Sequence, residues 1–246
     1  MKRLLGVFAH PDDESVACGG TIAKYARAGW QIDIVTATKG EAGGPAEVRA
    51  KELEEAAGVL GIRSITFLDY KDGKLSAMHP GEIEDALLQV MRESTPNVVI
   101  THETGGITNH PDHIKMSYAT TFAFQTYAQF RHDQNPDDPN PPKLYYACFP
   151  ESTISYLIKH RYFPSKLFDQ PVRGVDDKRI TTVIDIRRFA SLKTKALHSH
   201  KTQAAILAKY FGIPHNPFFQ QEYFVLRMRG EQEVFMGKND RVSDRL

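Results

Sequence analysis

The chain has 246 residues, 41% apolar and 25% charged, close to the average of globular proteins, so the composition gives no argument for disorder. Its formal charge of +1 gives no electrostatic reason to expect nucleic acid, an acidic membrane surface or a polyanionic substrate. Two cysteines, Cys18 and Cys148, are too few for a disulfide framework and fit a reducing cytoplasm, and no apolar run is long enough for a membrane span or shaped like a signal peptide.

In chain order, residues 2–9 read as a buried strand, and Gly19-Gly20 with residues 21–28 as the helix after it. Residues 31–38 are β-branched and apolar, a second strand. A helix then runs from Pro45 to about Leu60, with Ala50, Leu53, Ala57 and Leu60 on one face and Gly61 closing it. Residues 64–68 form a third strand, 81–94 a helix and 97–102 a fourth strand; Pro111 opens a helix to about Phe130. The stretch 132–142 is polar and proline-rich, a loop. Further strands are expected at 143–149, 179–186 and 222–228, with a helix over 187–210.

This alternation predicts an α/β fold: a Rossmann-like, doubly wound, mostly parallel sheet with helices on both faces, in a single domain over 1–246. In the strand order 3-2-1-4-5 the first and fourth strands are neighbours at the switch point, where open α/β sheets bind ligands beyond their carboxyl ends. Residues 1–130 then form the core carrying the site. Residues 131–246, the loop at 132–142 included, are expected to wall the pocket or to supply a homo-oligomer contact.

Two clusters carry the chemistry. His10-Pro11-Asp12-Asp13-Glu14 follows the first strand, and His110-Pro111-Asp112-His113 follows the fourth, so segments distant in sequence meet in space. Histidine nitrogens and carboxylate oxygens are the ligand set of Zn²⁺, with an open position for a reactive water. The proline in each cluster suits the first helical position, which makes the preceding histidine an N-cap and puts an acid in the first turn. Asp12 and Asp13 cannot face one point from regular structure, but at a strand-to-helix turn one can bind metal while the other reaches the attacking water. A nucleotide-binding module is excluded because Gly-x-Gly-x-x-Gly is missing from the first turn and Gly237-Lys238 is followed by Asn239; no Gly-x-Ser-x-Gly elbow of a serine hydrolase is present either.

The Ala9-His10-Pro11-Asp12-Asp13-Glu14 string and His110-Pro111-Asp112-His113 resemble the paired signatures of the PIG-L/LmbE family of zinc-dependent de-N-acetylases. The resemblance continues through Gly19-Gly20-Thr21, Thr38-Lys39-Gly40-Glu41, Arg49-Ala50-Lys51-Glu52-Leu53, Leu60-Gly61 and Asp72-Gly73, and more loosely at His200-Lys201-Thr202-Gln203. It implies that His10, Asp13 and His113 bind Zn²⁺, and that Asp12 is the general base on the water that the metal activates. His110 would stabilise or protonate the tetrahedral intermediate. Asp112 would orient His110 or raise its pKa, or serve only as a helix N-terminal acid. Arg49, Glu41 and Asp72 resemble positions around the substrate pocket, although Arg49 could equally pair with Glu52 or Glu54 on its own helix. The implied activity is removal of the N-acetyl group from an N-acetylglucosamine-type sugar, a small-molecule amino-sugar conjugate. The alternatives are an amidase on a related thiol conjugate and a metal-retaining binding protein without catalysis. A His₂Asp set also accepts Fe²⁺, Mn²⁺ or Co²⁺. Some relatives carry a tyrosine shortly before the second cluster; here Gly105-Gly106-Ile107-Thr108-Asn109 occupies that stretch, and its glycines read as a mobile loop. His102 is expected near the mouth in a structural role, and His198 and His200 have no role in this reading.

Overall fold

A computed structural model describes residues 1–213, 216–235 and 242–246, so Gly237-Lys238-Asn239 lies outside the described residues. The elements run β1 (Arg3–Phe8), α1 (Asp13–Arg27), β2 (Gln31–Thr38), α2 (Ala46–Leu60), β3 (Ser64–Tyr70), α3 (Glu82–Ser94), β4 (Val98–His102), a one-turn α4 (Gly106–Asn109) and α5 (Pro111–Gln134). They continue with β5 (Lys143–Cys148), α6 (Glu151–Lys159), the short pair β6 (Lys166–Leu167) and β7 (Gln170–Pro171), β8 (Thr182–Asp185), α7 (Ala190–Ser199), α8 (Ala204–Phe211), β9 (Gln221–Arg229) and β10 (Gln232–Glu233).

The main sheet has the order β10-β9-β5-β4-β1-β2-β3, with β8 also on β9. Strands β1 to β5 are parallel in the expected order, and β8, β9 and β10 add an antiparallel edge. Alternate residues of β1 feed opposite cores, as the pleat requires. Leu4 and Phe8 pack with α1, α2 and α7; Leu5, Val7 and Ala9 pack with α3 and α5. Because β1 pairs with β2 on one side and β4 on the other, the chain reverses between β1 and β4, and the cleft opens beyond their carboxyl ends. Among the described residues no helix is long and apolar enough to cross a membrane.

Helix α1 starts at Asp13, two residues after the Pro11 start that the first cluster implies and ahead of Gly19-Gly20, and breaks at Cys18 (φ −151°). The break frees two backbone donors: Gly20 N and Thr21 N bind the Glu222 carboxylate at 3.0 and 2.7 Å, and Lys193 Nζ meets the same carboxylate at 2.6 Å. Lys193 and Glu222 are buried. A buried ion pair is retained only when such extra hydrogen bonds satisfy it, and this one clamps α7 and β9 onto α1. A Cβ at Gly20 would lie 2.6 Å from Ile186, so the close approach requires glycine.

Two expectations are corrected here. The helix expected over 187–210 is broken at His200 into α7 and α8, because His200 turns inward to a buried glutamate. The segment 132–142 does not wall the cleft: a connection into the start of a parallel strand lies at the amino ends of the strands, opposite the site. There Gly230 N donates to Pro142 O at 2.7 Å, and Asn135 to Pro142 pack beside Arg229 to Gln232.

Candidate active site

The site begins where β1 ends. Asp13 reaches back over the strand terminus, its Oδ2 accepting from Ala9 N at 3.2 Å and His10 N at 2.9 Å. This differs from the expectation for the first cluster: Asp12, not His10, is the residue before the helix, and its φ of 109° is a left-handed value. A non-glycine residue there is strained, and such strain collects at functional sites. Here it turns the adjacent carboxylates of Asp12 and Asp13 in different directions. In the second cluster His110 is the N-cap as expected, its Nδ1 accepting from Asp112 N at 3.2 Å.

His10 Nδ1 lies 3.2 Å from His113 Nε2, His113 Nε2 lies 3.2 Å from Asp13 Oδ1, and His10 Nδ1 lies 3.6 Å from Asp13 Oδ2. Bonds of about 2.0–2.1 Å to a tetrahedral ion place ligand atoms roughly 3.3–3.4 Å apart, and the separations in this triangle, whose Asp13 corner presents Oδ1 to His113 and Oδ2 to His10, are of that order. The other nitrogens are held from behind. His113 Nδ1 is 3.0 Å from Gly106 O, which leaves its Nε2 lone pair facing the triangle. His10 Nε2 lies 2.9 Å from Asp72 Oδ1 and 3.4 Å from Asp112 Oδ2, close contacts that are not aligned as hydrogen bonds. Four carboxylates, those of Asp12, Asp13, Asp72 and Asp112, thus face the cleft, Asp12 against Arg49 and the other three against His10, and such a set suits a cation. The residues present fit a divalent metal.

The electrostatics follow from burial and neighbours. Burial opposes charge on His10, yet its contacts with Asp112, Asp13 and Asp72 prevail and raise its pKa well above the usual value. Burial likewise opposes the Asp13 anion, but His113 and His102 hold its pKa well below the carboxylate range. Asp12 is pushed up to about 6 by burial and by the Asp13 charge, with Arg49 working against both. Burial lowers His110 to about 4, assisted by the charges of His113 and His10.

Arg49 is buried on α2. It donates from Nη1 to Gly40 O at 2.6 Å, and from Nη2 to Pro11 O at 2.5 Å and Asp12 Oδ2 at 3.0 Å. It does not pair with Glu52, which accepts from Thr202 N at 2.8 Å and Oγ1 at 2.6 Å. Gly40 has φ +69°, and a Cβ there would collide with the guanidinium, so this glycine gives Arg49 its path. Asp72 faces His10 and takes Ala42 N at 3.0 Å, and it is held at about 2, chiefly by its contacts with His10 against the effect of burial. Glu41 is exposed, accepts from Asp72 N at 2.9 Å and does not line the cleft. The Asp112 carboxylate turns away from His110, taking Gly73 N at 2.7 Å and Leu75 N at 3.2 Å; its backbone, not its charge, orients that imidazole.

His102, at the end of β4, has the structural role expected of it near the mouth: it is buried with its ring stacked at 4.1 Å on His113 and its Nε2 3.3 Å from Asp13 Oδ2, so it supports two members of the triangle. Two further features have no counterpart in the sequence pattern. Glu14 Oε2 accepts from Asp12 N at 3.1 Å, while Oε1 is 3.1 Å from His200 Nε2. A buried pair thereby holds the strained Asp12 backbone from behind. The segment before His110 is tied rather than free: Glu103 takes Gly105 N at 2.6 Å and Ile107 N at 2.8 Å, and Asn109 Nδ2 donates to Pro171 O at 3.1 Å. His198 is exposed.

Fold and site define a class: a doubly wound α/β protein with a preformed histidine–aspartate cluster able to hold a metal at the sheet's switch point. The family model described as GlcNAc-PI de-N-acetylase (PIG-L) matches residues 5–124. A 1D-myo-inositol 2-acetamido-2-deoxy-alpha-D-glucopyranoside deacetylase of Thermomonospora curvata is 32% identical over an alignment covering 92% of this chain and 90% of the relative. The chain belongs to the PIG-L family. Among solved structures, N,N'-diacetylchitobiose deacetylase from Pyrococcus horikoshii superposes with a TM-score of 0.66 at 22% identity, covering 93% of this chain and 84% of that one. A 4-carboxy-2-hydroxymuconate hydratase from Pseudomonas putida superposes with 0.61 at 18% identity, covering 96% and 100%. At such identities the likeness concerns the fold, and the hydratase shows that the fold does not choose the reaction.

Proposed function

We propose that the chain is a metal-dependent N-deacetylase that hydrolyses the acetamide of an N-acetylglucosamine-type sugar. The observation that carries this reading is the His10–Asp13–His113 triangle beside an Asp12 poised near neutrality. The names of the relatives support the amide chemistry and the sugar. His10, Asp13 and His113 would hold the ion, with Zn²⁺ the best match to the triangle and Fe²⁺, Mn²⁺ or Co²⁺ compatible with the donors. When bound, such an ion acidifies water and polarises the amide carbonyl.

The protein's own groups do the rest. Asp12, ionised above about pH 6 and held by Arg49, takes a proton from the attacking water as it adds to the acetyl carbon. His110 is neutral, and because its Nδ1 accepts from Asp112 N, its proton sits on Nε2 as a donor for the oxygen that gains charge. Asp12 then returns its proton to the nitrogen that leaves as the sugar amine. The outer contacts of His10 Nε2 with Asp72 and of His113 Nδ1 with Gly106 O orient the two rings so that His10 Nδ1 and His113 Nε2 face the triangle.

The test is amine release from N-acetylglucosamine and 1-O-substituted derivatives by protein stripped with chelator and reloaded with Zn²⁺. Release that requires the reloading supports the reading. A protein that takes up one metal per chain and releases no amine from any member refutes it.

A further inference from the structure

The cavity that holds the triangle, about 310 Å³, has two unlike ends. Beyond the histidines and carboxylates it is walled by Phe149 after β5, Phe163 after α6, Leu207, Tyr210 and Phe211 on α8, and Phe218 before β9. These residues pack on one another: Phe149 and Phe218 at 4.3 Å, Phe163 and Tyr210 at 4.7 Å, Phe211 and Phe218 at 5.8 Å between ring centres. The wall is therefore built rather than a chance exposure of one side chain.

Most of the polar groups that could bind a polyol are already engaged. Arg49 is committed to Gly40 O, Pro11 O and Asp12; Asp72 to Ala42 N and His10; Gln203 Nε2 to Gly43 O at 2.9 Å. The Thr108 hydroxyl, Gln203 Oε1, the buried Arg49 Nε and, within the aromatic wall, the Tyr210 hydroxyl are the lining side-chain groups outside the catalytic cluster that remain among the described residues. A cyclitol placed against the aromatic wall would find the Tyr210 hydroxyl for its several hydroxyls and bury the others without partners, which loses affinity, whereas an apolar group there gains from leaving water.

We propose that the substrate carries an alkyl or aryl arm that fills this aromatic end, an inference that rests on the N-deacetylase reading above. Two sources share this chemistry: an apolar aglycone on the sugar, and an N-acyl chain longer than acetyl. With the Zn²⁺-loaded protein, amine release is measured for methyl, hexyl, octyl and phenyl N-acetylglucosaminides, the myo-inositol conjugate, and N-hexanoyl- and N-octanoylglucosamine, all below micelle-forming concentrations. KM falls along the series that supplies the arm, by at most about fourfold per methylene. A gain in the glycoside series assigns the arm to the aglycone; a gain in the N-acyl series assigns it to the acyl group. In Leu207→Gln and Phe163→Ser the octyl-to-methyl ratio of KM, below one in wild type, rises toward one, a ratio taken within each protein so that partial loss of fold cancels. Two flat series, or the inositol conjugate preferred over octyl, overturn the proposal. Calorimetric binding of the octyl and methyl glycosides reads the arm without turnover: absence of amine release with chain-length-dependent binding would sink the deacetylase reading alone, and length-independent binding would sink the arm.

Discussion

Arg49→Met isolates what the buried guanidinium does. Arg49 Nη2 sits 3.0 Å from Asp12 Oδ2, with side-chain exposures of 5% and 18%. Coulomb's law at an effective dielectric of about 20 gives roughly 5 kcal/mol at this distance, an upper bound before relaxation. Hydrogen bonds to charged groups are worth about 1.5–3 kcal/mol net, and partial exposure of Asp12 favours the lower end. At about 1.4 kcal/mol per unit this corresponds to a shift of roughly 1–2 pKa units. The sign follows from the charge: removing a cation disfavours the Asp12 anion, so its pKa rises from about 6 and the protonated, inactive form persists to higher pH. A rise of 1.5 units cuts the ionised fraction at pH 6.5 about eightfold and leaves it nearly unchanged at pH 9. A bound cation moves the acid limbs of both proteins together, so their separation is the predicted quantity. The assay is kcat/KM against pH for wild type and variant, with metal content and circular dichroism checked at each end. An unmoved limb with a raised KM would refute the reasoning and return Arg49 to the substrate-contact role that the sequence resemblance implies.

Other substitutions probe neighbouring groups. His113→Ala removes one corner of the triangle, and the purified protein should lose its stoichiometric metal, read by elemental analysis. His110→Ala should keep the metal and slow kcat by about 10²-fold or more, because it deletes the donor at the amide oxygen. His102→Phe preserves the stacking surface on His113 but deletes the Nε2 contact with Asp13, and should weaken Zn²⁺ affinity by about 10–100-fold in a chelator competition.

The parallel half of the fold was legible because β1, β2 and β4 are unbroken apolar or β-branched runs between turn signals, and helices α2 and α5 open at prolines. The convergence of His10 with His113 followed from strand order alone. The errors came where tertiary contacts outweighed local pattern. The break in α1 depends on Glu222 from the far end of the chain. The interruption at His200 depends on Glu14, 186 positions away. Helix α6 has no counterpart in the sequence reading, since Ser152, Thr153, Ile154 and Tyr156 mix strand-favouring and turn-favouring residues, and burial of Ile154 and Leu157 decides its state. Of the two roles expected for the polar loop at 132–142, walling the pocket fails, because composition marks a loop without saying which end of a strand it enters.

The most direct test of the account is Asp12→Asn, which keeps the size of the side chain and the backbone contact with Glu14 while removing the base. The account predicts one Zn²⁺ per chain, as in wild type, with amine release from N-acetylglucosamine conjugates reduced by at least about 10²-fold across the pH range. Near-normal release by a fully loaded variant would contradict it, and the proton acceptor would have to be sought elsewhere in the cleft.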